Sequence, residues 1–304
     1  MKIDTTDFVW QEVGLDRCVQ SSNLAYPRVE GKVRDIYDLG DSLLLLATDR
    51  LSAFDRSICL IPRKGEVLTR LSAWWFAKTA HIVPNHLLNL PHPQVMHVKK
   101  CQVLPIEVIV RGYITGTTNT SLWTLYNAGE REFFGTTLPE GLKKNQKLDQ
   151  PILTPTTKAA DHDRPLQRED LHSISHLTLE LWQQIETAAL GLFKFASEHL
   201  AKQGLIIADT KYEFGLDENN QLCLIDEIHT PDSSRYWEIA DWQDALRDQR
   251  EPRSYDKEII RLWYREHSDP YHDAELPEAP LELVKKVSER YQALYQKVTE
   301  NRLV

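Results

Sequence analysis

Three charged side chains alternate along the segment from Ile207 to Gly215. Asp209, Lys211 and Glu213 follow one another at every second position, and residues two apart on a strand point to the same side. Three charges on one strand face are costly unless they pair or bind something. Carboxylates are ligands that Mg²⁺ prefers, and a lysine can neutralise phosphate. The alternative is a solvated face with cross-strand ion pairs, which is the more frequent outcome for so short a motif.

A second acidic group follows on the next predicted strand. The turn sequence 217–220 separates the charged strand from an apolar run that ends in Asp226 and Glu227. If the two strands form a hairpin, Asp226 lies near Lys211 or Glu213, and the spacing leaves the register open. A polar loop follows at 229–235, and loops at strand ends often carry binding groups.

Two further segments carry cations beside small residues. A predicted buried strand ends at Arg111 and continues into a stretch of glycines and threonines up to Thr117. Arg111 can form a bidentate pair with a carboxylate, or it can simply cap a sheet edge, and the two interpretations are evenly matched. Near the N-terminus, Lys32 and Arg34 are predicted to share one face of a strand that opens with Gly31. They could cover ATP phosphates, although no Walker sequence occurs.

These residues need a scaffold of strands followed by helices. Gly31–Leu39 and Leu43–Thr48 form a predicted hairpin, and apolar residues at three- and four-residue steps predict a long helix between Ile174 and Leu200. The stretch 138–165 is either a flexible boundary or a functional loop. The other predicted strands are 103–111, 205–216 and 222–228, and the other predicted helices are 68–81, 119–128, 255–266 and 281–301. This order favours an α+β fold over a βαβ repeat.

Composition excludes several classes of function. The chain has 304 residues and a net charge of −9, and without a long basic run neither nucleic acid nor an anionic membrane is an expected partner. The N-terminal residues lack the apolar core of a signal peptide, so a cytoplasmic protein is expected. Its four cysteines have no paired spacing, which predicts reduced thiols: Cys18, Cys59, Cys101 and Cys223.

In combination and in this order, the segments resemble the phosphoribosylaminoimidazole-succinocarboxamide synthase (SAICAR synthetase) family. The segment 207–215, an apolar pair followed by D-x-K-x-E-F-G, matches one family signature completely. The run from Leu104 to Thr117 matches another, except that Thr117 stands where the family usually has serine. The resemblance covers about Gly31 to Arg261, nearly the whole chain.

The resemblance implies an α+β fold of two lobes with mainly antiparallel sheets and packed helices, and ATP in the cleft between them. Residues 1–112 would form the nucleotide-binding lobe, and residues 113–304 the substrate- and metal-binding lobe. The implied reaction joins L-aspartate to the carboxylate of carboxyaminoimidazole ribonucleotide through an acyl phosphate, with ATP and Mg²⁺ required. A chain of this length is similar to the longer form of the enzyme, which suggests a monomer.

The resemblance also implies roles for individual residues. Asp209 and Lys211 would be catalytic, and Glu213 and Asp226 would bind Mg²⁺. The implied nucleotide contacts are Lys32, Arg34, Glu107 and Lys211. The implied substrate contacts are Arg111, Thr117, Lys158, Asp209, Arg235, Lys257 and Arg261.

Two other functions share some of these features. A kinase-like phosphotransferase would also use ATP, Mg²⁺ and a lysine–acid pair, but the kinase H-R-D and D-F-G sequences are absent. A non-catalytic nucleotide sensor would be expected to lose Lys211, Glu213 or Asp226, and all three are present.

Overall fold

The computed structural model describes residues 3–158 and 164–303, so part of the predicted 138–165 loop, residues 159–163, lies outside the described residues. The described strands are β1 (Phe8–Val13), β2 (Asp16–Ser22), β3 (Arg28–Glu30), β4 (Arg34–Asp38), β5 (Ser42–Ala47), β6 (Arg50–Ala53), β7 (Arg56–Leu60), β8 (Leu87–His92), β9 (Val95–Lys99), β10 (Gln102–Tyr113), β11 (Glu132–Phe133), β12 (Thr136–Thr137), β13 (Lys147–Leu153), β14 (Thr156–Thr157), β15 (Leu205–Leu216), β16 (Leu222–Ile225) and β17 (Ser234–Glu238). The described α-helices are α1 (Lys64–Thr79), α2 (Leu122–Asn127), α3 (Leu179–Lys202), α4 (Ile239–Asp248), α5 (Glu258–His267) and α6 (Leu281–Thr299). The predicted α+β class is confirmed.

The smaller of the two main sheets has five antiparallel strands in the order β3-β4-β5-β9-β8. The predicted hairpin is β4–β5, in which Tyr37 lies opposite Leu44. Its first strand begins at Arg34 and not at Gly31, because the Gly31 amide donates to the Arg34 carbonyl at 2.8 Å and closes a turn. Lys32 therefore lies in that turn, and the prediction that it shares a strand face with Arg34 is wrong.

The larger sheet has six strands. Its main path is β13-β10-β15-β16, with β14 paired to β10 and β17 paired to β15, all antiparallel. Helix α3 covers one face of this sheet, where Val108 and Val110 are buried with Leu192 in the main hydrophobic core. The helix begins at Leu179, later than predicted, because the Thr178 side chain accepts a hydrogen bond from a backbone amide and caps it.

The two sheets are closely joined. Only Lys100 and Cys101 separate β9 from β10. The chain before β8 also pairs with β16, since the His86 amide donates to the Leu224 carbonyl at 3.1 Å and the Leu224 amide donates to the Pro84 carbonyl at 2.8 Å. The main core runs through both sheets without interruption. The predicted boundary at residue 112, which falls near the end of β10, stays a prediction.

Several elements differ from the predictions. Strand β17 and helix α4 were not predicted. The five residues of β17 mix polar and apolar types and show no clear period. The stretch 138–165 contains strands β13 and β14 and is more than a linker. Helix α1 begins at Lys64, four residues before the predicted start, since Arg63 has a left-handed backbone that ends the preceding turn. Among the described helices, none is both long and apolar enough to span a bilayer.

Candidate active site

The central strands β10 and β15 bring the predicted charged residues together. Their antiparallel register places Glu107 opposite Glu213, Ile109 opposite Lys211, and Arg111 opposite Asp209. Between these positions, Val108, Val110 and Tyr212 are buried in the core that α3 covers. The prediction that Asp209, Lys211 and Glu213 share one strand face is confirmed, and β10 adds Glu107 and Arg111 to the same face.

At one end of this face, Asp209 lies between two arginines. The buried Asp209 Oδ2 is 2.5 Å from Arg235 Nη1 and 3.3 Å from Arg111 Nη1. Arg111 also donates from Nε to the Thr154 hydroxyl at 2.7 Å. Burial lowers the pKa of Arg111 to about 10, against the opposing effect of Asp209. One carboxylate thus holds two guanidinium groups, and the group of three keeps a net positive charge suited to an anion.

At the other end, Lys211 lies between two glutamates. Its Nζ is 2.5 Å from Glu107 Oε1 and 3.0 Å from Glu213 Oε1. Lys158 forms a second ion pair with Glu213. Burial disfavours the Glu213 carboxylate, but Lys211 and Lys158 outweigh it and lower its pKa to about 2. Glu213 therefore carries its charge at neutral pH.

The hairpin partner β16 brings Asp226 to this cluster. Because Glu213 pairs with Ile225, Asp226 follows directly beyond the end of the ladder. Arg34 reaches it from the smaller sheet, with Nη1 3.0 Å from Asp226 Oδ1 and Nη2 2.7 Å from Glu227 Oε2. Burial raises the pKa of Asp226 to about 6, and repulsion from Glu213 adds to the shift. The two predicted metal ligands thus lie close enough to repel each other.

Such a pair fits a magnesium ion bound together with a nucleotide. Among the described residues, no group of three or more His, Cys, Asp or Glu side chains could hold a metal by itself. Mg²⁺ commonly takes only one or two carboxylates and completes its shell with phosphate oxygens and water. A bound cation would relieve the repulsion between Glu213 and Asp226.

A cavity of about 180 Å³ opens beside the Asp209 end of the face. Six predicted site residues line it: Arg111, Asp209, Lys211, Arg235, Lys257 and Arg261. Hydroxyl groups line it as well, from Thr118, Thr120, Ser121, Ser233 and Ser234. Burial lowers the pKa of Lys257 to about 8. Converging cations and hydroxyls of this kind suit a ligand that carries phosphate or carboxylate groups.

Seven predicted site residues do not line this cavity. Four of them, Arg34, Glu107, Glu213 and Asp226, belong to the ion-pair cluster at the other end of the face, and the remaining three lie as follows. Lys32 is exposed and pairs with Asp55 at 2.9 Å. Thr117 donates its hydroxyl to Glu258 Oε1 at 2.7 Å and lines an adjoining cavity that also contains Arg235. Lys158 reaches the glutamate end of the face through its ion pair with Glu213.

A buried charge network beside the cavity was missed by sequence reasoning. Lys64 Nζ lies 2.8 Å from Asp232 Oδ2, and both side chains are almost completely buried. The Tyr291 hydroxyl donates to the other oxygen of Asp232 at 2.8 Å. Burial opposes the charge on Asp232, but Lys64 and Lys257 hold its pKa well below the ordinary value. Asp232 lies in the polar loop 229–235, which the sequence marked as a possible carrier of binding groups. The only sequence signal for Lys64 was its position shortly before the helix predicted at 68–81.

Asp256 is a second missed carboxyl group at this cavity. It is 3% exposed, and burial raises its pKa to about 6, with repulsion from Glu258 adding to the effect. The family resemblance implied a substrate contact for its neighbour Lys257 and none for Asp256. The signal for Asp256 was its position between that lysine and an apolar residue.

Comparison with solved structures defines the class of protein to which this fold and site belong. A SAICAR synthase from Saccharomyces cerevisiae, solved in complex with SAICAR, superposes with a TM-score of 0.80 at 31% identity, covering 93% of this chain and 99% of that one. A SAICAR synthetase in complex with ADP shares the fold, with a TM-score of 0.70, 24% identity, and coverage of 91% of this chain and 100% of that one.

Sequence comparison gives the family. The SAICAR synthetase family model matches residues 27–277. The phosphoribosylaminoimidazole-succinocarboxamide synthase of Legionella pneumophila (strain Lens) is 49% identical over 283 residues, which are 93% of this chain and 91% of that protein. The chloroplastic enzyme of Arabidopsis thaliana is 49% identical over 295 residues, 95% of this chain and 72% of that protein. The chain belongs to the SAICAR synthetase family, and the prediction of a ligase of purine biosynthesis is confirmed.

Proposed function

We propose that this protein forms SAICAR by joining L-aspartate to the carboxylate of carboxyaminoimidazole ribonucleotide at the expense of ATP. The observation that carries this proposal is the single strand face on which two clusters meet. One cluster is Asp209 between two arginines, and the other is Lys211 among the carboxylates. The first suits an anionic substrate, and the second suits a nucleotide with its metal.

The carboxylate cluster forms the nucleotide end of the site. Glu213 and Asp226 would hold Mg²⁺, which neutralises the phosphate charge that builds up during transfer. Lys211 keeps its charge because the neighbouring glutamates raise its pKa against the effect of burial, and it can contact the phosphates. Arg34 ties the smaller sheet to Asp226. Lys32 lies in the exposed turn next to Arg34, and Glu107 lies on β10. We assign both Lys32 and Glu107 to nucleotide contact.

The arginine cluster forms the substrate end. Arg111, Asp209 and Thr117 are assigned to the carboxylate and amino groups of the imidazole ribonucleotide. Its 5′-phosphate would meet three cations that line the cavity, namely Arg235, Lys257 and Arg261. Lys158 is assigned to L-aspartate or to the transferred phosphate, because it lies at the nucleotide end with its side chain partly exposed.

The two ends serve a two-step reaction. A carboxylate is a poor acyl donor, because its leaving group would be oxide. Its oxygen therefore attacks the γ-phosphorus of ATP, and ADP leaves. The amine of L-aspartate then attacks the acyl phosphate and displaces phosphate. Both steps depend on positioning and charge neutralisation more than on a protein nucleophile. Lys211 supplies positive charge, and Asp209 fixes the arginines that orient the ribonucleotide.

The test is ADP release from the purified protein with ATP, Mg²⁺ and carboxyaminoimidazole ribonucleotide, with and without L-aspartate. Sustained ADP release that requires L-aspartate and yields SAICAR supports the proposal. Steady ADP release without L-aspartate would indicate a kinase-like phosphotransferase instead. Nucleotide binding with no ADP release under either condition would indicate a sensor.

A further inference from the structure

Two cysteines lie on either side of Gly215, away from the cavity. Cys101 is in the two-residue connection between the two sheets, directly before β10. Cys223 is on β16 and lies opposite Gly215 in the ladder between β15 and β16. On the other side of β15, Val103 also lies opposite Gly215. Gly215 on β15 is therefore flanked by β16 on one side and by the start of β10, which follows Cys101, on the other.

Gly215 leaves the space in which the two thiols meet. A Cβ atom at this position would lie 3.1 Å from Cys101 Cβ and 2.9 Å from the Gln102 carbonyl oxygen. A side chain there would displace the connection, whereas glycine lets it cross directly over β15. Directly opposite residues of an antiparallel pair share a face, so the Cys223 side chain points toward the same space. The two side chains lie close enough to shift each other's pKa, and the Cys223 thiol also donates to the Leu224 carbonyl oxygen at 3.7 Å.

The two thiols differ in access and in charge. Cys101 is partly exposed, and Cys223 is 1% exposed. The interaction with Cys223 lowers the pKa of the Cys101 thiol, and the same interaction raises the pKa of Cys223. An accessible thiol with a lowered pKa beside a buried second thiol is the arrangement found in peroxide-sensitive cysteine pairs.

The other two cysteines lack this arrangement. Cys18 is buried, and burial raises the pKa values of Cys18 and Cys59 to about 12. Both therefore remain protonated at neutral pH, and a protonated thiol is a poor nucleophile. They serve as internal controls for the reactivity of the first pair.

We propose that Cys101 and Cys223 form a redox modification site, which hydrogen peroxide converts into an intramolecular disulfide. The Cys101 thiolate attacks one peroxide oxygen, the O–O bond breaks, and the hydroxide that leaves takes up a proton to become water. The Cys223 sulfur then attacks the resulting sulfenic acid, the S–O bond breaks, and a second water leaves with the Cys223 proton. The two thiols lose two electrons, and one molecule of hydrogen peroxide is reduced.

The disulfide would tie the connection between the sheets to β16. That strand ends at Ile225, immediately before Asp226, and the connection is the shortest covalent path between the two sheets. Oxidation would therefore restrain the position of β16 relative to the start of β10. Formation of this disulfide does not require the proposed ligase reaction, since neither cysteine lines the cavity that contains the site residues.

The experiment treats the full-length protein with hydrogen peroxide and counts free thiols after denaturation. We expect two of the four thiols to disappear and to return on reduction with dithiothreitol. Mass spectrometry of the digest should show the peptides of Cys101 and Cys223 linked to each other. Amide hydrogen exchange of β16 and of residues 100–103 should be slower in the oxidised protein than in the reduced protein.

Three variants make the result decisive. Cys59→Ser should behave like the parent protein. Cys101→Ser should form no intramolecular disulfide. Cys223→Ala should accumulate a sulfenic acid on Cys101 that dimedone labels. Oxidation of Cys101 to sulfinic acid in the parent protein, with Cys223 still reduced, would overturn the proposal. A Cys101–Cys223 disulfide with unchanged hydrogen exchange would show that oxidation does not restrain β16. The mass spectra of the parent protein test the disulfide even if a variant fails to fold.

Discussion

A single carboxylate organises the substrate end of the site. Asp209 accepts from Arg111 on one neighbouring strand and from Arg235 on the other, at distances of 3.3 and 2.5 Å. Because the carboxylate is buried, water does not compete for these bonds, and charge-assisted bonds of this type are strong. Its charge therefore fixes the orientation of two guanidinium groups at once.

Replacing Asp209 with asparagine tests this function. Asp209→Asn keeps one acceptor oxygen but loses the charge and turns N–H donors toward the arginines. We expect turnover to fall by about a hundredfold or more, the scale seen when a charge-stabilising group is lost. Circular dichroism should show the fold retained. ADP release measures the effect, with Asp244→Asn on the exposed face of α4 as the matched control. Near-normal turnover would reject the assigned role.

The arginine on β17 gives a second prediction. Arg235→Ala removes a cation that lines the cavity, whereas the carboxylate cluster around Lys211 keeps its ion pairs. We expect the KM for the ribonucleotide to rise by about tenfold or more, from the loss of a charged hydrogen bond of about 1.5–3 kcal/mol. The KM for ATP should change far less. Steady-state kinetics with Arg247→Ala as an exposed control provides the measurement, and equal effects on both substrates would count against phosphate binding by Arg235.

At the scale of elements, the start of α1 is packed against β5. The Gly65 amide donates to Asp49 Oδ1 at 2.8 Å, and a Cβ atom at Gly65 would lie only 2.1 Å from the Ala47 carbonyl oxygen. The preceding residue, Lys64, reaches Asp232 beside the cavity. The close approach of helix to strand therefore also sets the position of a charge next to the site.

A methyl group at this contact should destabilise the folded protein. Gly65→Ala forces the helix away from β5, and we expect the free energy of unfolding to fall by about 2–3 kcal/mol or more. Gly191→Ala in α3 is the matched control, because its Cβ would meet only the Ile82 side chain at 3.2 Å. It should change stability by about 1 kcal/mol or less, with helix propensity in its favour. Urea denaturation compares the two variants, and similar midpoints would contradict a tight contact between helix and strand at Gly65.

At the scale of the whole molecule, the two sheets share one core. Leu45 and Met96 of the smaller sheet belong to the same buried cluster as Val108 and Tyr212 of the larger sheet. The backbone pairing at Leu224 and the ion pair between Arg34 and Asp226 add polar links between the sheets. Neither sheet can unfold without exposing part of this shared core.

This arrangement predicts a single cooperative unfolding transition. Tryptophan fluorescence and far-ultraviolet circular dichroism should give coincident denaturation curves, since Trp75 on α1 and Trp237 on β17 report on different parts of the chain. Adding ATP and Mg²⁺ should raise the unfolding temperature through linkage. Two separated transitions would show that the two sheets unfold independently, in which case only one transition should respond to the nucleotide.

The prediction from sequence was most accurate where the signal was local and long. The helix pattern of 174–200 appears as α3, because its buried residues recur at helical spacing. The strands predicted at 205–216 and 222–228 appear as β15 and β16, which are buried along almost their whole length. Strand β17 was missed, because five residues with mixed polarity show no period. Lys32 was placed on a strand face because the turn at Gly31 depends on a hydrogen bond that composition does not reveal.

Within the long strand β15, the sequence by itself determined which side chains share a face, since alternation along one strand requires only the order of neighbouring residues. It thereby placed Asp209, Lys211 and Glu213 together, and the resemblance gave the family. Only the tertiary structure decided which partners meet them. Arg34 lies 192 residues from Asp226 along the chain, and Arg111 lies 98 residues from Asp209. Such pairs depend on strand register and on the packing of two sheets around one core, and neither is encoded in local spacing.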